Sequence, residues 1–279
     1  VGQPGKYAVL DLETRCSAAM ARQVLHLEAS IPDEEALRRF FEKRRAENHG
    51  SEFPKLPFHE PVAAAILLVE RRGPVPESPL LATDWRCWRA GELPLEQFVE
   101  RFFKNLAGRT YVGFNSQGFD LPLMELWASR CRITAPEHFD RLRNESPRNK
   151  YAVELHCDLQ KELVNWAWGS GTFDELCRFH GLPGKPGVSG GDVEALLAQG
   201  HLDQVHAYNV TDVLQTHLLF LHTLVRSGRL TRGAAAESAR AAIDLTRDRL
   251  LPKLTAGGEA FRILEETLLG CAKAPIALP

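Results

Sequence analysis

The chain alternates short apolar runs with amphipathic stretches. Tyr7-Ala8-Val9-Leu10 leads without interruption into Asp11-Leu12-Glu13 and predicts a buried strand over Tyr7–Leu12. Val62–Glu70 is a second continuous apolar strand, closed by the turn Arg71-Arg72-Gly73-Pro74, and Leu80–Trp88 reads as a third. Between the first two lies a long excursion, Cys16–Glu60, with a charged helix over Asp33–Ala46 started by Pro32-Asp33. Apolar residues then take helical spacing at Phe98, Val99, Phe102, Phe103 and Leu106, within Leu95–Leu106. Arg109–Phe114 predicts a fourth strand, Phe119–Arg130 a helix that tolerates Pro122 in its first turn, and Tyr151–His156 a fifth strand.

Beyond these the pattern turns helical. Short helices are expected near Leu159–Trp166 and Thr172–His180, with a Gly- and Pro-rich loop over Gly181–Gly191. Asp192 is expected to cap a short helix ending at Ala198, and Leu202–Val225 to form a long one. The tail, Leu230–Pro279, has Ala-rich and charged stretches at Arg232–Arg249 and Gly258–Leu269. These predict one or two helices, packed back on the domain or offering a partner surface.

Four acidic residues arrive in three blocks that the predicted elements place sharply. In Asp11-Leu12-Glu13-Thr14 the two carboxylates sit two apart on a strand and share a face, while Leu12 points the other way. Asn115-Ser116-Gln117-Gly118-Phe119-Asp120 ends on a helix start. In Tyr208-Asn209-Val210-Thr211-Asp212 the phenol and carboxylate are four apart on one helical face. Four carboxylates brought together repel and are costly to desolvate unless hard divalent cations lie between them. That requirement describes a two-metal phosphodiesterase site.

With these motifs in this order, the chain resembles the DEDD superfamily of 3′-5′ exonucleases, in the subgroup whose third motif carries Tyr in place of His. Within it the likeness is to the proofreading exonuclease domain of family B DNA polymerases and to stand-alone predicted exonucleases related to it. It runs from Lys6 to Val225, which defines an expected exonuclease domain at 6–225 and a helical C-terminal extension at 226–279. The resemblance implies an α/β fold of ribonuclease H type, a mixed five-stranded sheet flanked by helices. Its first strand is central, so Asp11 and Glu13 would lie beside the helix bearing Asp212.

It further implies two cations, Mg²⁺ or Mn²⁺, with Asp11 bridging both, Glu13 and Asp212 completing one site, and Asp120 serving the second directly or through water. Tyr208 would orient the attacking water. Leu12, Thr14, Asn115 and Phe119 would meet the terminal nucleotide, and Gly113 and Gly118 would permit a turn or close backbone approach. Lys185 is a candidate phosphate contact, although a solvated loop lysine is the stronger reading of that residue from sequence. Arg141, Arg143, Arg148 and Lys150 form a candidate strand-guiding rim. His156 and Asp158 read as structural.

Bulk properties narrow the picture. A chain of 279 residues with net charge −2, 25% charged and 44% apolar residues is an ordinary globular composition that does not coat nucleic acid by bulk electrostatics. The six cysteines show no metal-type spacing and read as reduced thiols, with a cytoplasmic location expected. No apolar run is long enough to span a bilayer. The absence of an initial Met suggests a trimmed chain, and the residues left after the third motif are too few for a polymerase domain, so proofreading would act in trans. The expected substrate is the 3′ end of nucleic acid, single-stranded DNA preferred and RNA possible. The rival readings are an exoribonuclease and a nuclease-dead binding or polymerase-accessory module.

Overall fold

The computed structural model describes residues 5–47, 53–139, 145–165, 169, 171–185 and 193–277. Five strands form one sheet: β1 (Lys6–Cys16), β2 (His59–Arg71), β3 (Leu80–Arg89), β4 (Thr110–Gly113) and β5 (His156–Asp158). The spatial order is β3-β2-β1-β4-β5, with β1 antiparallel to β2, β2 antiparallel to β3, and β1, β4 and β5 mutually parallel. This is the ribonuclease H-like α/β fold, with β1 at its centre.

Period-two alternation along β1 divides the interior in two. Tyr7 and Val9 join Ala65, Leu67 and Val69 of β2 in one core, and Ala8, Leu10 and Leu12 join Ala64, Ile66 and Leu68 in the other. The second core is covered by α3 (Leu95–Leu106) and α4 (Asp120–Cys131), whose Phe98, Phe102, Leu123 and Met124 are fully buried. The first is covered by α9 (Leu202–Arg226). This helix is buried nearly all round because β1, β2 and β4 lie on one side of it, and α10 (Arg232–Arg249) and α11 (Glu259–Ala272) on the other. Leu230, Ala235, Ile243, Leu264 and Ile276 belong to the same core as Tyr7 and Val9, so the chain after residue 225 completes the interior that covers the central strand.

The remaining helices are α1 (Ala18–Leu25), α2 (Asp33–Glu47), α5 (Pro136–Phe139), α6 (Leu159–Glu162), α7 (Phe173–Phe179) and α8 (Val193–Ala198). Helix α1 is not anticipated by the pattern, although Ser17 caps it by accepting the Met20 N–H. The fifth strand starts where it was expected to end. Tyr151–Leu155 instead form turns, with Leu155 and His156 donating their N–H groups to Ala152, and pairing with β4 begins at His156. Trp166, Asp192, Arg141 and Arg143 lie outside the described residues. All six cysteines are free, and among the described residues no helix is long and apolar enough to cross a membrane.

Candidate active site

Along β1, the face that carries Tyr7 and Val9 into the core beneath α9 continues as Asp11 and Glu13 where the strand leaves that core. A register shift against β2 follows between Glu13 and Thr14. Helix α9 lays Asp212 opposite, and one ligand oxygen each from Asp11, Glu13 and Asp212 lie within 4.8 Å of one another. Asp120, at the start of α4 on the other side of the sheet, reaches the same strand end, where its Oδ1 accepts the Leu12 N–H at 3.0 Å. It stands beside the three-carboxylate cluster rather than within it. Three separate elements thus deliver four acids to one end of the central strand.

The electrostatics show the strain of that arrangement. Burial pushes the Asp11 carboxyl up to about 7, reinforced by Asp212 and opposed by Lys185 and by a hydrogen bond from Asn209. Burial, then Asp11 and Asp212, hold Glu13 well above the usual carboxylate range, and burial with Asp11 does the same to Asp120. Asp212 is raised by burial and partly relieved by Lys185. The Lys185 Nζ lies 2.7 Å from Asp212 Oδ2. Burial works against its ammonium, but Asp212, Glu13 and Asp11 hold the charged form above the ordinary lysine range. Lys185 is therefore a partly buried member of the site, and the reading of it as a solvated loop residue is corrected.

Among the described residues, the one ammonium of Lys185 does not balance four clustered carboxylates. The donor set consists of hard oxygens, suited to Mg²⁺ or Mn²⁺. Among the described residues no other group of His, Cys, Asp or Glu has metal-binding geometry. Asn209 also faces this site: its Nδ2 donates to Asp11 Oδ2 at 2.7 Å, and its buried Oδ1 has no partner. Sequence reading passed over Asn209, although its position three before Asp212 on a helix signals a shared face.

The second block forms a tight turn. Asn115 takes φ +57°, and its carbonyl accepts the N–H groups of Gly118 and Phe119. A Cβ on Gly118 would meet Asn115 Oδ1 at 2.4 Å, and one on Gly113 would meet Ser116 Oγ at 2.3 Å, so both glycines answer to close approach. Asp158, at the end of β5, accepts the N–H groups of Asn115 and Gln117 at 2.9 and 3.0 Å, while Ser116 Oγ pairs with His156 Nε2 at 2.8 Å. His156 and Asp158 thereby brace the turn.

A cavity of about 1080 Å³ opens over the acids, lined by Asn115, Phe119, Thr14 and Lys185 among others. The Phe119 ring sits edge-on to His59 at 4.9 Å, and Phe53, 65% exposed, lies 5.1 Å from His59 and 6.1 Å from Phe119. Thr14 Oγ1 pairs with His59 Nδ1 at 2.9 Å. Phe53 and His59 are aromatic wall residues that sequence reading missed, because they lie in the excursion between motifs. Glu194 of α8 adds a further, half-buried acid, which accepts the Cys16 N–H. Leu12 faces this cavity while its side chain is buried in the core beneath α3 and α4. Tyr208 lies with Ala207, Ala260 and Ile263 in a small apolar cluster, outside the residues that line the cavity. Arg148 bridges to Glu125, and the Lys150 Nζ lies 4.9 Å from the Tyr151 ring centroid.

A ribonuclease H-like sheet with carboxylates converging at the end of its central strand defines a class of chain suited to cation-assisted chemistry on phosphate esters. Residues 51–256 match the family of predicted 3′-5′ exonucleases related to the exonuclease domain of PolB, and the chain belongs to that family. The match begins after β1, so Asp11 and Glu13 join the site through the fold, and it extends through the whole of α10 to just before α11, past the Val225 limit expected from the motifs. No curated protein matches the chain.

Proposed function

We propose that the chain is a two-cation 3′-5′ exonuclease that releases nucleoside 5′-monophosphates, preferentially from single-stranded DNA. The observation that carries this reading is the convergence of Asp11, Glu13 and Asp212 within 4.8 Å, with Asp120 alongside, on a family member's fold. Divalent cations, when held by these four residues, would supply the Lewis acidity that makes water nucleophilic and steadies the departing 3′ oxygen.

The chain's own residues divide the remaining work. The aromatic wall of Phe119, His59 and Phe53 suits an unpaired terminal base, whose exposed face stacks on such rings. Asn115 and Thr14, which line the same cavity, would hydrogen-bond the terminal nucleotide. Lys185, paired with Asp212, would offer its ammonium to a phosphate oxygen. Tyr208, one turn before Asp212, is assigned the orientation of water. Its side chain packs with Ala260 and Ile263 of α11.

Freeing a paired terminal base from its stack costs about 1–2 kcal/mol per step, so frayed or mismatched ends should be cut faster than blunt duplex ends. The test compares 5′-labelled single-stranded DNA, RNA of equal sequence, and mismatched and blunt duplexes, with Mg²⁺, Mn²⁺ or chelator. The proposal expects single-stranded DNA to be shortened fastest and chelator to stop the reaction. Faster cleavage of RNA would reassign the substrate, and equal rates on all ends would refute the single-strand pocket.

A further inference from the structure

A second cavity, about 880 Å³, lies on the far side of the Asn115–Gly118 turn. The turn separates the two: Asn115 and Gly118 line the acidic cavity, whereas Gln117 lines this one. The charge of its lining runs opposite to that of the acidic site. Among its described lining residues, Arg148, Lys150 and Lys161 face a single carboxylate, Glu125, in a chain whose net charge is −2. Tyr151 is 71% exposed, with the Lys150 ammonium 4.9 Å from its ring centroid, and the Arg148 guanidinium lies 5.5 Å from the ring of Phe139. An exposed aromatic face beside cations is the arrangement on which a base stacks while its phosphate is neutralised.

The groove is also wired to the catalytic turn. The Lys161 Nζ donates to Gln117 Oε1 at 3.0 Å and lies 3.3 Å from Asp158 Oδ2, the carboxylate that holds the Gln117 N–H. A strand leaving the acidic cavity across Asn115–Gly118 would meet this groove next.

We propose that this groove is a second nucleic-acid site, which holds the single strand 5′ of the nucleotide being removed, with Tyr151 as a stacking platform and Lys150 as a phosphate contact. The proposal deepens the exonuclease reading and rests on it for direction, but binding can be measured without cleavage.

The test uses the full chain in chelator. Fluorescence anisotropy follows a labelled oligothymidylate of about twelve nucleotides, and competition follows unlabelled thymidine dinucleotide, which is too short to span both cavities. Loss of a stacking side chain and reversal of a phosphate contact should each weaken binding of the long strand by about tenfold, for Tyr151→Ala and Lys150→Glu respectively. Dinucleotide affinity should stay unchanged, and Lys150→Glu should flatten the salt dependence of long-strand binding. Tyr151 is exposed enough that its truncation leaves the core untouched, and Tyr151→Phe, which keeps the ring, should bind like the wild type. Unchanged long-strand binding in both variants, or equal losses for the long and short ligands, would overturn the groove. Long-strand binding that depends on Tyr151 without any cleavage in Mg²⁺ or Mn²⁺ would uphold the groove and sink the exonuclease reading. Cleavage with indifferent variants would do the reverse.

Discussion

Each acid in the cluster is costly where it stands, and that cost is measurable. The Asp11 carboxyl is pushed up to about 7 by burial and by Asp212, whereas in an unfolded chain it would titrate near 3.8. Between about pH 4 and pH 7 the native protein therefore holds more protons than the unfolded one. Without cations, the contribution of Asp11 to stability is full below pH 4 and is lost as pH rises through 7. Thermal unfolding in chelator should show the midpoint dropping from pH 5 to pH 8. Adding Mn²⁺ at pH 8 to about a hundred times its dissociation constant should restore about 5–10 °C, from about 2.7 kcal/mol of linkage. A midpoint indifferent to both pH and Mn²⁺ would mean the acids hold no cation.

Two substitutions separate charge from structure at the same scale. Asp212→Asn removes a repelling carboxylate, so the cation-free protein should be no less stable, while the Mn²⁺ response and cleavage should both be lost. Lys185→Met takes away the ammonium that balances Asp212. It should destabilise the cation-free protein by about 1–3 kcal/mol, between the values for exposed and for buried pairs, with a smaller loss once Mn²⁺ is bound. Tyr208→Phe should slow turnover by up to about a hundredfold with Mn²⁺ binding intact, the scale of one positioned hydrogen bond. An unchanged chemical rate would leave Tyr208 as a packing residue against α11.

At the scale of elements, the Asn115–Asp120 turn shows how the site is held. Asp158 accepts N–H groups from Asn115, Gln117 and Gln160. Asp158→Ala should therefore strand part-buried backbone donors and cost about 1–3 kcal/mol, with cleavage reduced although Asp158 bears no direct role. Urea unfolding of the variant beside a rate measurement checks both effects.

Much of this level was legible in the sequence. Alternation along Tyr7–Glu13 placed Leu12 in one layer and the carboxylates in the other, and the spacing of Phe98, Val99, Phe102, Phe103 and Leu106 located α3. Legibility failed where tertiary contacts decide. Tyr151–Leu155 has strand-like composition, yet local turn hydrogen bonds claim it. Lys185 looked like a loop lysine because its partner, Asp212, lies in another element. Phe53 and His59 carry no motif, and only the packing of the segment before β2 and of the first residue of β2 brings them to Phe119.

At the scale of the whole molecule, the chain after residue 225 bears on both folding and site. Leu230, Ala235, Ile243, Leu264 and Ile276 share a core with the central strand, and α11 packs on Tyr208. A chain ending at Val225 would expose the outer face of α9, so it should aggregate or lose cooperative unfolding, as calorimetry can show.

The central claim is that four carboxylates at the end of β1 hold cations that cut one nucleotide at a time from a 3′ end. Incubating a 5′-labelled single strand with Mn²⁺ and resolving the products at single-nucleotide length tests it most directly, with the wild type run beside Asp11→Ala. The account predicts a ladder of labelled strands shortening from the unlabelled end, nucleoside 5′-monophosphate as the released product, and an intact strand with the variant. Immediate release of the labelled 5′ nucleotide, internal fragments from a circular strand, or equal activity in Asp11→Ala would contradict it.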